Sequence, residues 1–302
     1  MDFSLSEERK MLQETVARFF ENNYKDIKKR SEYLEMSDGF SRDFWKESSN
    51  LGVISGLISP KFGGLGGSGE DVSIIFELIG KSLCIEPFLS SGLLSSTVLS
   101  SIESPKTELI YKIIDGELLI SFAHMEMNNR YEDNFVETKA FLENDNWKLN
   151  GSKSFVINGD SADKVIVSAR IDGEINDKNG IGLFLIDNSQ IKNRSYNTID
   201  GYRAAELNFD NVNAELLSKN DLALECIIKA NSAGALALSA EAVGIMQVCF
   251  DLTLDYLKTR KQFGKSIGAF QSIQHRMVDM MLEIEQVKSA VMLASSTFET
   301  NS

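Results

Sequence analysis

The chain contains few residues of the kinds that build disulfide frameworks and metal sites. Among 302 residues there are two histidines and three cysteines, Cys84, Cys226 and Cys249. The cysteines are odd in number, lie in apolar surroundings and lack CxxC spacing, which excludes a disulfide framework and gives no indication of a metal site. We expect reduced, buried thiols and a cytoplasmic location.

Basic residues are also scarce. Lysine and arginine number 31 against 44 acidic residues, a formal net charge of −13. No basic stripe is present, which argues against a nucleic-acid partner. Asp2, Glu7 and Glu8 stand where a targeting segment would be basic, and no apolar run reaches membrane-spanning length. We therefore expect a soluble protein without a membrane partner.

The hydrophobic pattern divides the chain into three parts. Residues 1–118 have helical periodicity, starting with a helix that Ser4 or Ser6 can cap. Residues 119–215 contain short alternating runs typical of strands. Turn dipeptides separate these runs: Asn150-Gly151, Asn158-Gly159, Asp172-Gly173 and Asp200-Gly201. Residues 216–302 are helical again. The predicted fold class is a multidomain α+β protein with an N-terminal helical domain, a small antiparallel β domain and a C-terminal helical domain.

A glycine-rich loop spans residues 59–69, with the sequence SPKFGGLGGSG, and precedes an apolar helical run. Backbone amides of such a loop can bind phosphate at a helix N-terminus. The loop lacks a GK[ST] ending and a G-x-G-x-x-G pattern, so a structural turn is the favoured interpretation.

Residues 259–280 join two amphipathic runs and predict the turn of a helical hairpin. Gly264 and Gly268 interrupt the period, while Arg260, Lys261 and Lys265 concentrate cationic donors at the end of the first helix. The cations can cap the helix C-terminus, where its dipole favours positive charge, or they can hold an anion.

The pattern T-R-x-Q-F-G-x-x-I-x-x-F-Q-x-x-Q-H-x-x-x-D-M in this segment resembles the C-terminal signature of acyl-CoA dehydrogenases, as does the order of helices, β domain and helices. The resemblance implies an FAD-dependent oxidoreductase of fatty acid metabolism that acts on CH–CH bonds. It also implies an acyl-CoA substrate, an electron-transfer acceptor and a homo- or hetero-oligomer with a homologous chain. By resemblance, Arg260, Phe263 and Gln271 reach the FAD of a partner subunit, and the residue types suit diphosphate and a flat heterocycle. His275 is interpreted as a structural helix residue.

Two stretches resemble the segments that hold the flavin ring in that family, residues 121–133 and 155–159. The resemblance places Met125, Phe155 and Ile157 at the cofactor. This chain departs from the family pattern there: Met125 replaces a threonine, Phe155 a tryptophan, Ile157 a hydroxyl residue and Arg130-Tyr131 a Gly-Ser pair. Hydroxyl groups are lost, so the residues also permit a degenerate site. We interpret Glu126 as a structural carboxylate.

Arg130-Tyr131 and the stretch at residues 200–207 (DGYRAAEL) resemble the small subunit of pimeloyl-CoA dehydrogenase type heteromers. The family closes with a four-helix bundle, and only the first two of these helices have counterparts here. Because a helix pair cannot bury both faces alone, we expect either a fragment or a bundle that another polypeptide completes.

Dehydrogenation needs a carboxylate to take the α proton. In most members of the family that glutamate would lie beyond Ser302; in a minority it would lie at Gly234, beside Ala235. Glu225 and Glu241 are too far along the helix to replace it; core pairing is the interpretation for Glu241. No catalytic residue is therefore assigned. The chain is predicted to be one subunit of an oligomeric acyl-CoA dehydrogenase or a non-catalytic subunit that completes a partner's FAD site; a relative of flavoprotein or nitroalkane oxidases is a third alternative.

Overall fold

The computed structural model describes residues 6–129 and 131–298. The helices are α1 (Glu7–Tyr24), α2 (Ile27–Leu34), α3 (Arg42–Asn50), α4 (Gly69–Ser82), α5 (Ser96–Ser101), α6 (Thr107–Ile114), α7 (Asn220–Thr259) and α8 (Gln271–Phe298). The strands are β1 (Ile120–Ala123), β2 (Lys139–Glu143), β3 (Asn146–Ile157), β4 (Lys164–Arg170), β5 (Ile181–Asp187), β6 (Lys192–Asn197), β7 (Arg203–Lys219), β8 (Lys261–Gln262) and β9 (Lys265–Ser266). The predicted order of helices, sheet and helices is confirmed. Two compact units are present, residues 1–27, 67–84 and 235–302 in the first and residues 28–66 and 85–234 in the second.

The start of α1 agrees with its predicted cap. Ser6 has extended backbone angles, and its hydroxyl accepts a hydrogen bond from the Arg9 amide at 3.3 Å, which satisfies one of the amides that a helix leaves unpaired at its N-terminus. The alternative cap, Ser4, lies outside the described residues.

In the first unit, α4 and α7 approach each other closely at two glycines. A Cβ atom at Gly80 of α4 would collide with the carbonyl oxygen of Glu241 on α7. A Cβ atom at Gly244 of α7 would likewise collide with the carbonyl oxygen of Glu77 on α4. The absence of side chains at both positions therefore lets the two helix backbones touch, and any larger residue would force them apart.

The N-terminus of α4 contacts α8 and carries a complete set of caps. Gly69 lies against the backbone of Ser295 on α8. Ser68 and Asp71 form a capping box in which the hydroxyl of Ser68 accepts from the Asp71 amide and the Asp71 carboxylate accepts from the Ser68 amide. Arg9 donates to the same carboxylate at 2.8 Å. The N-terminus of α4 therefore already has its anion, a carboxylate of the protein itself.

In the part of the glycine-rich loop that belongs to the second unit, backbone amides are bonded to the loop itself and to the residues just before it. The amides of Gly64, Leu65 and Gly66 donate to carbonyl oxygens of Ser59, Ser55 and Ile58. These amides are not free for a phosphate, so the structural interpretation of this loop is confirmed.

The sheet of the second unit closes on itself. Pairing runs from β4 through β5, β7, β3 and β2 and returns to β4 where Lys139 faces Arg170, while β6 pairs with β7. Alternate side chains of these strands point inward and form one apolar core, which includes Leu149, Val156, Val167, Phe184, Leu207 and Phe209. The pairings are antiparallel apart from β1 with β4 and the single contact of β2 with β4, which are parallel.

One predicted turn is wrong. Asn150-Gly151 lies inside β3, which continues from Asn146 to Ile157. Gly151 is needed there because a Cβ atom would lie 2.8 Å from the Cα atom of Thr138, and the side chain of Asn150 instead bonds to the Asn211 amide at 2.6 Å. The turn between β2 and β3 is made by Asn144 and Asp145, which both have the positive φ that a two-residue hairpin requires.

Two expectations from the sequence, one on buried cysteines and one on apolar runs, need correction. Cys84 and Cys226 are buried as predicted, but Cys249 is exposed. The helix Asn220–Thr259 is long and apolar enough to cross a membrane by length and composition, contrary to the expectation from the sequence. With 44% of its apolar window buried within the protein, this is weak evidence for a span, because core helices of globular proteins pass the same test.

Candidate functional site

The first group of predicted cofactor residues meets where β1 ends and β3 bulges, in the second unit. Met125 is the second residue after β1, and its carbonyl oxygen accepts a hydrogen bond from the Ser154 amide of β3 at 2.9 Å. Phe155 is the next residue of β3, and Ile157 is the last. The structure therefore brings Met125, Phe155 and Ile157 together at one edge of the sheet.

Phe155 has a backbone conformation that aromatic residues rarely adopt. Its φ is +53°, and the register between β3 and β7 shifts between Lys153 and Val156, which marks a bulge. The bulge turns Val156 into the apolar core while the ring of Phe155 stays 48% exposed. Left-handed backbone in a bulky residue costs about 1 to 3 kcal/mol and concentrates at functional sites, so this strain points to a role for the exposed ring.

Glu126 is a structural carboxylate, as predicted. It is buried and accepts hydrogen bonds from the amides of Glu137 at 2.6 Å and Thr138 at 3.0 Å and from Lys153 Nζ at 2.6 Å. Burial alone would raise the pKa of Glu126, but the positive charge and hydrogen bond of Lys153 and the two amides outweigh it and lower the pKa. An ionised carboxylate with its lone pairs occupied is a poor proton acceptor for a substrate.

Lys153 is the partner that the sequence interpretation missed. Its side chain is fully buried, and burial lowers its pKa to about 8 even though Glu126 opposes that shift. The sequence did contain a signal for it. Lys153 is an even number of residues from Trp147 and Leu149, so the three side chains point to the same face of β3, and Leu149 is fully buried. A lysine at an inward position indicates a buried acidic partner, but the pattern does not identify it.

His124 lies beside this pair and is held as a neutral imidazole. Lys153 Nζ donates to Ser168 Oγ at 2.9 Å, and the Ser168 hydroxyl is 2.9 Å from His124 Nδ1. The Ser168 oxygen accepts from Lys153 and still offers a proton and a second lone pair to Nδ1 of the ring. Burial and then the charge of Lys153 lower the pKa of His124 to about 3. The buried Nε2 has no hydrogen-bond partner among the described residues.

The loop after Glu126 presents an aromatic side chain to solvent. Tyr131 is 89% exposed at a φ of +69°, while Arg130, the other half of this predicted departure, lies outside the described residues. Asn129 bonds to both backbone groups of Glu132, at 2.9 and 3.1 Å. The turn is thereby closed where the family resemblance places a Gly-Ser pair.

The second group of predicted cofactor residues lies on the turn between α7 and α8, in the first unit. Phe263 is 91% exposed at a φ of +52° and contacts the Phe270 ring edge-on, and Gln271 begins α8 with an exposed side chain. The carbonyl oxygen of Arg260 accepts from the Ile267 amide at 2.9 Å, which fixes the backbone of the turn. Arg260, Phe263 and Gln271 thus lie on one ordered turn.

The guanidinium of Arg260 makes no hydrogen bond or ion pair with any residue that the structure describes. A helix cap would donate to the last carbonyl groups of α7, and this side chain does not. An exposed, unpaired guanidinium on a rigid turn is suited to bidentate binding of diphosphate oxygens from another molecule.

The two groups of residues suit different parts of a flavin dinucleotide. The apolar side chains of Met125 and Ile157 and the exposed ring of Phe155 suit a flat ring system, and the unpaired Arg260 suits its diphosphate. No side-chain hydroxyl donor remains at positions 125 and 157, so polar contacts to the ring have to come from backbone groups.

Gly234 occupies the alternative position for a catalytic base and is enclosed by apolar side chains. It is buried on α7, and a Cβ atom there would lie 3.0 Å from Leu94 Cδ2 and 4.0 Å from Leu89 Cδ1. Glu225 and Glu241 lie about 13 and 10 Å away along the helix axis at 1.5 Å per residue. Neither carboxylate can take the place of a base at Gly234.

Comparison with known proteins finds similarity to acyl-CoA dehydrogenases over nearly the whole chain. Family models described as the N-terminal, middle and C-terminal domains of acyl-CoA dehydrogenase match residues 6–117, 121–212 and 224–302. The chain is 28% identical to the probable acyl-CoA dehydrogenase YngJ of Bacillus subtilis over 308 residues, which covers 98% of this chain and 80% of YngJ. It is 30% identical to the mitochondrial isovaleryl-CoA dehydrogenase of Bos taurus over 294 residues, which covers 91% of this chain and 68% of that protein.

Solved structures share the fold. Butyryl-CoA dehydrogenase from Megasphaera elsdenii superposes with a TM-score of 0.87 at 22% sequence identity, covering 98% of this chain and 80% of that one. At this identity the similarity establishes the architecture, and the residues of this chain have to carry any statement about its chemistry.

Proposed function

This chain belongs to the acyl-CoA dehydrogenase family of FAD-dependent oxidoreductases, and from that premise we propose that it works as one subunit of an oligomer in which two chains share each FAD. Met125, Phe155 and Ile157 of one chain form the wall for the flavin ring. Arg260, Phe263 and Gln271 of a neighbouring chain bind the diphosphate and adenosine side. When bound, FAD supplies the acceptor for the β-hydrogen of the acyl-CoA and its electron pair.

The observation that carries this proposal is the unpaired guanidinium of Arg260 on a turn that exposes Phe263. The exposed side chains of this turn need a partner from outside their own hairpin. Phe155 supports the other half of the site, because its ring is exposed and its backbone is strained. Such strain persists only where the surrounding structure enforces it.

Replacement of Arg260 tests the shared site. In the purified oligomer, Arg260→Ala should weaken FAD binding by about 1.5 to 3 kcal/mol, the contribution of a charge-assisted contact to diphosphate. The measurement is a titration of the apoprotein with FAD, followed by quenching of flavin fluorescence. Lys258→Ala is the matched control, since it removes one exposed positive charge two residues earlier, near the end of α7. An unchanged dissociation constant in a folded Arg260→Ala variant would remove Arg260 from the site.

A second candidate function is a non-catalytic subunit that completes the FAD site of a catalytic homologue. Gly234 favours it, because this position carries hydrogen where a carboxylate is needed to take the α proton. The resemblance of Arg130-Tyr131 and of residues 200–207 to the small subunit of pimeloyl-CoA dehydrogenase type heteromers points in the same direction. In that arrangement the partner is an acyl-CoA dehydrogenase homologue that supplies the base.

Turnover separates the two candidates. The purified chain is incubated with FAD, saturated acyl-CoA thioesters and an artificial electron acceptor, and reduction of the acceptor is followed. Reduction at rates typical of the family would establish the chain as catalytic by itself and would require a carboxylate other than one at position 234, with Glu241 the first to test.

A further inference from the structure

The ammonium group of Lys153 uses all three of its protons on one small region of the protein. Its Nζ donates to the carbonyl oxygen of His124 at 3.1 Å, to Glu126 Oε1 at 2.6 Å and to Ser168 Oγ at 2.9 Å. The side chain has no exposed surface. Complete hydrogen bonding of this kind is what permits a charged group in a protein interior.

Two of these contacts, together with one from Ser154, hold three successive residues at the cofactor edge of the sheet. Lys153 bonds to the backbone of His124 and to the side chain of Glu126, and the amide of Ser154 bonds to the carbonyl oxygen of Met125 between them. The next residue of β3 is the strained Phe155. Two adjacent residues of β3 therefore fix the segment 124–126 at the point where the strand bulges.

We propose that Lys153 is a positioning residue for the flavin wall: it holds the segment 124–126 against the bulge of β3, so that Met125 and Phe155 keep the spacing that a flat ring requires. This inference rests on the proposed FAD site. Lys153 does not contact the cofactor in this proposal and acts through the residues that do.

The energetics of buried ion pairs favour a positioning role over a purely stabilising one. A buried pair is often no more stable than apolar residues of similar volume, because desolvation offsets the attraction between the charges. An apolar pair lacks directional hydrogen bonds, so it does not fix the relative positions of the segments that it joins. Three hydrogen bonds from one nitrogen fix the relative placement of β1, β3 and β4, since His124 follows β1, Lys153 belongs to β3 and Ser168 to β4.

A double substitution separates position from stability. Lys153→Met alone leaves Glu126 as a buried, unpaired carboxylate and should unfold at a clearly lower urea concentration than wild type. Adding Glu126→Gln removes that charge, and the urea midpoint should recover part of the difference from wild type, because Gln has one acceptor oxygen for the two backbone amides of Glu137 and Thr138. Glu126→Gln alone carries the same lost acceptor and retains the bonds of Lys153 to His124 and Ser168, so the effect of Lys153 on FAD binding is taken from the double variant relative to this one.

Two measurements on these variants decide the role of Lys153. In the double variant the dissociation constant for FAD should lie about tenfold or more above that of Glu126→Gln, as expected when about 1.4 kcal/mol of preorganisation is lost. Without FAD, amide hydrogen exchange of the peptide covering residues 122–128 should be faster than in Glu126→Gln. A double variant with the FAD affinity and the exchange of Glu126→Gln would make Lys153 a purely structural residue and overturn the proposal.

Two further outcomes remain informative. If wild type itself binds no FAD, the proposed function fails, while the exchange measurement still decides whether Lys153 holds the segment. If the double variant does not fold, Ser168→Ala removes one of the three acceptors and keeps the charge pair. Its FAD dissociation constant should rise by about fivefold for one lost hydrogen bond. A value equal to that of wild type would contradict the proposal.

Discussion

Replacing His124 should remove much of the acid sensitivity of the second unit. In the folded protein the pKa of His124 is lowered to about 3, mainly by burial, whereas an unfolded imidazole titrates near 6.5. Between pH 3 and pH 6.5 the imidazole of His124 is protonated in the unfolded chain and neutral in the folded protein. Stability from this residue is therefore fully present above pH 6.5 and falls as the pH decreases toward 3.

The size of the effect follows from the two pKa values. Between pH 7 and pH 5 the proton affinity of the unfolded state should lower the free energy of unfolding by about 2 kcal/mol through His124. Glu126 contributes little in this range, because its ordinary pKa of 4.5 lies below it and its folded value is lower still. Contributions from other groups occur in both proteins and cancel when wild type is compared with His124→Leu.

The assay is urea unfolding at pH 7 and pH 5, followed by tryptophan fluorescence. Trp45 and Trp147, the two tryptophans of the chain, both belong to the same compact unit as His124, so their emission reports on that unit. In His124→Leu the difference between the two pH values should shrink by about 2 kcal/mol. His275→Gln removes the other, exposed histidine and should leave the difference unchanged. Equal differences in wild type and His124→Leu would refute the reasoning.

Two further predictions concern the cofactor edge and the empty base position. Phe155→Gly should cost well below the roughly 3 to 5 kcal/mol of a buried Phe truncation, since glycine adopts positive φ freely, yet it should weaken FAD binding; urea midpoints and FAD titration test this, and unchanged affinity would exclude the ring from the site. If the wild-type chain shows no acyl-CoA turnover, Gly234→Glu should raise turnover by about two orders of magnitude above that of Gly234→Gln, the control of equal size. An added Cβ atom would lie 3.0 Å from the flexible end of Leu94, and a carboxylate among leucine side chains should lower the urea midpoint; equal turnover in folded Glu and Gln variants would contradict a missing base.

Elements that depend on local pattern were predictable from the sequence. The two amphipathic runs that residues 259–280 join form α7 and α8, and Val243, Leu257, Met277 and Ile284 are buried on these helices. Alternating runs located the strands of the sheet for the same reason. The prediction of a turn at Asn150-Gly151 was wrong because this dipeptide, although typical of hairpin turns, lies inside a strand. Gly151 is needed there to let β3 approach Thr138, and this contact has no signal in the residues next to Gly151.

The network at the cofactor edge was not predictable, because each of its bonds joins distant parts of the chain. Glu126 was recognised as structural, but its partner Lys153 is on another strand. The unusual φ of Phe155 is imposed by the bulge and by the bond from Ser154 to Met125, neither of which has a local sequence signal. The exposure of the turn at Phe263 was likewise a property of packing, although the family motif had already identified its residues.

The glycine contacts of α4 determine when the first unit can form during synthesis. Gly80 of α4 is made early, but the backbone that it touches, at Glu241, belongs to a helix translated much later. Residues 28–66 and 85–234 leave the ribosome before that helix is complete, so the sheet can close while α4 has α1 beside it but neither the end of α7 nor α8. Nascent α4 therefore leaves the side that later packs against α7 and α8 uncovered throughout that interval, and the first unit is completed only after the sheet.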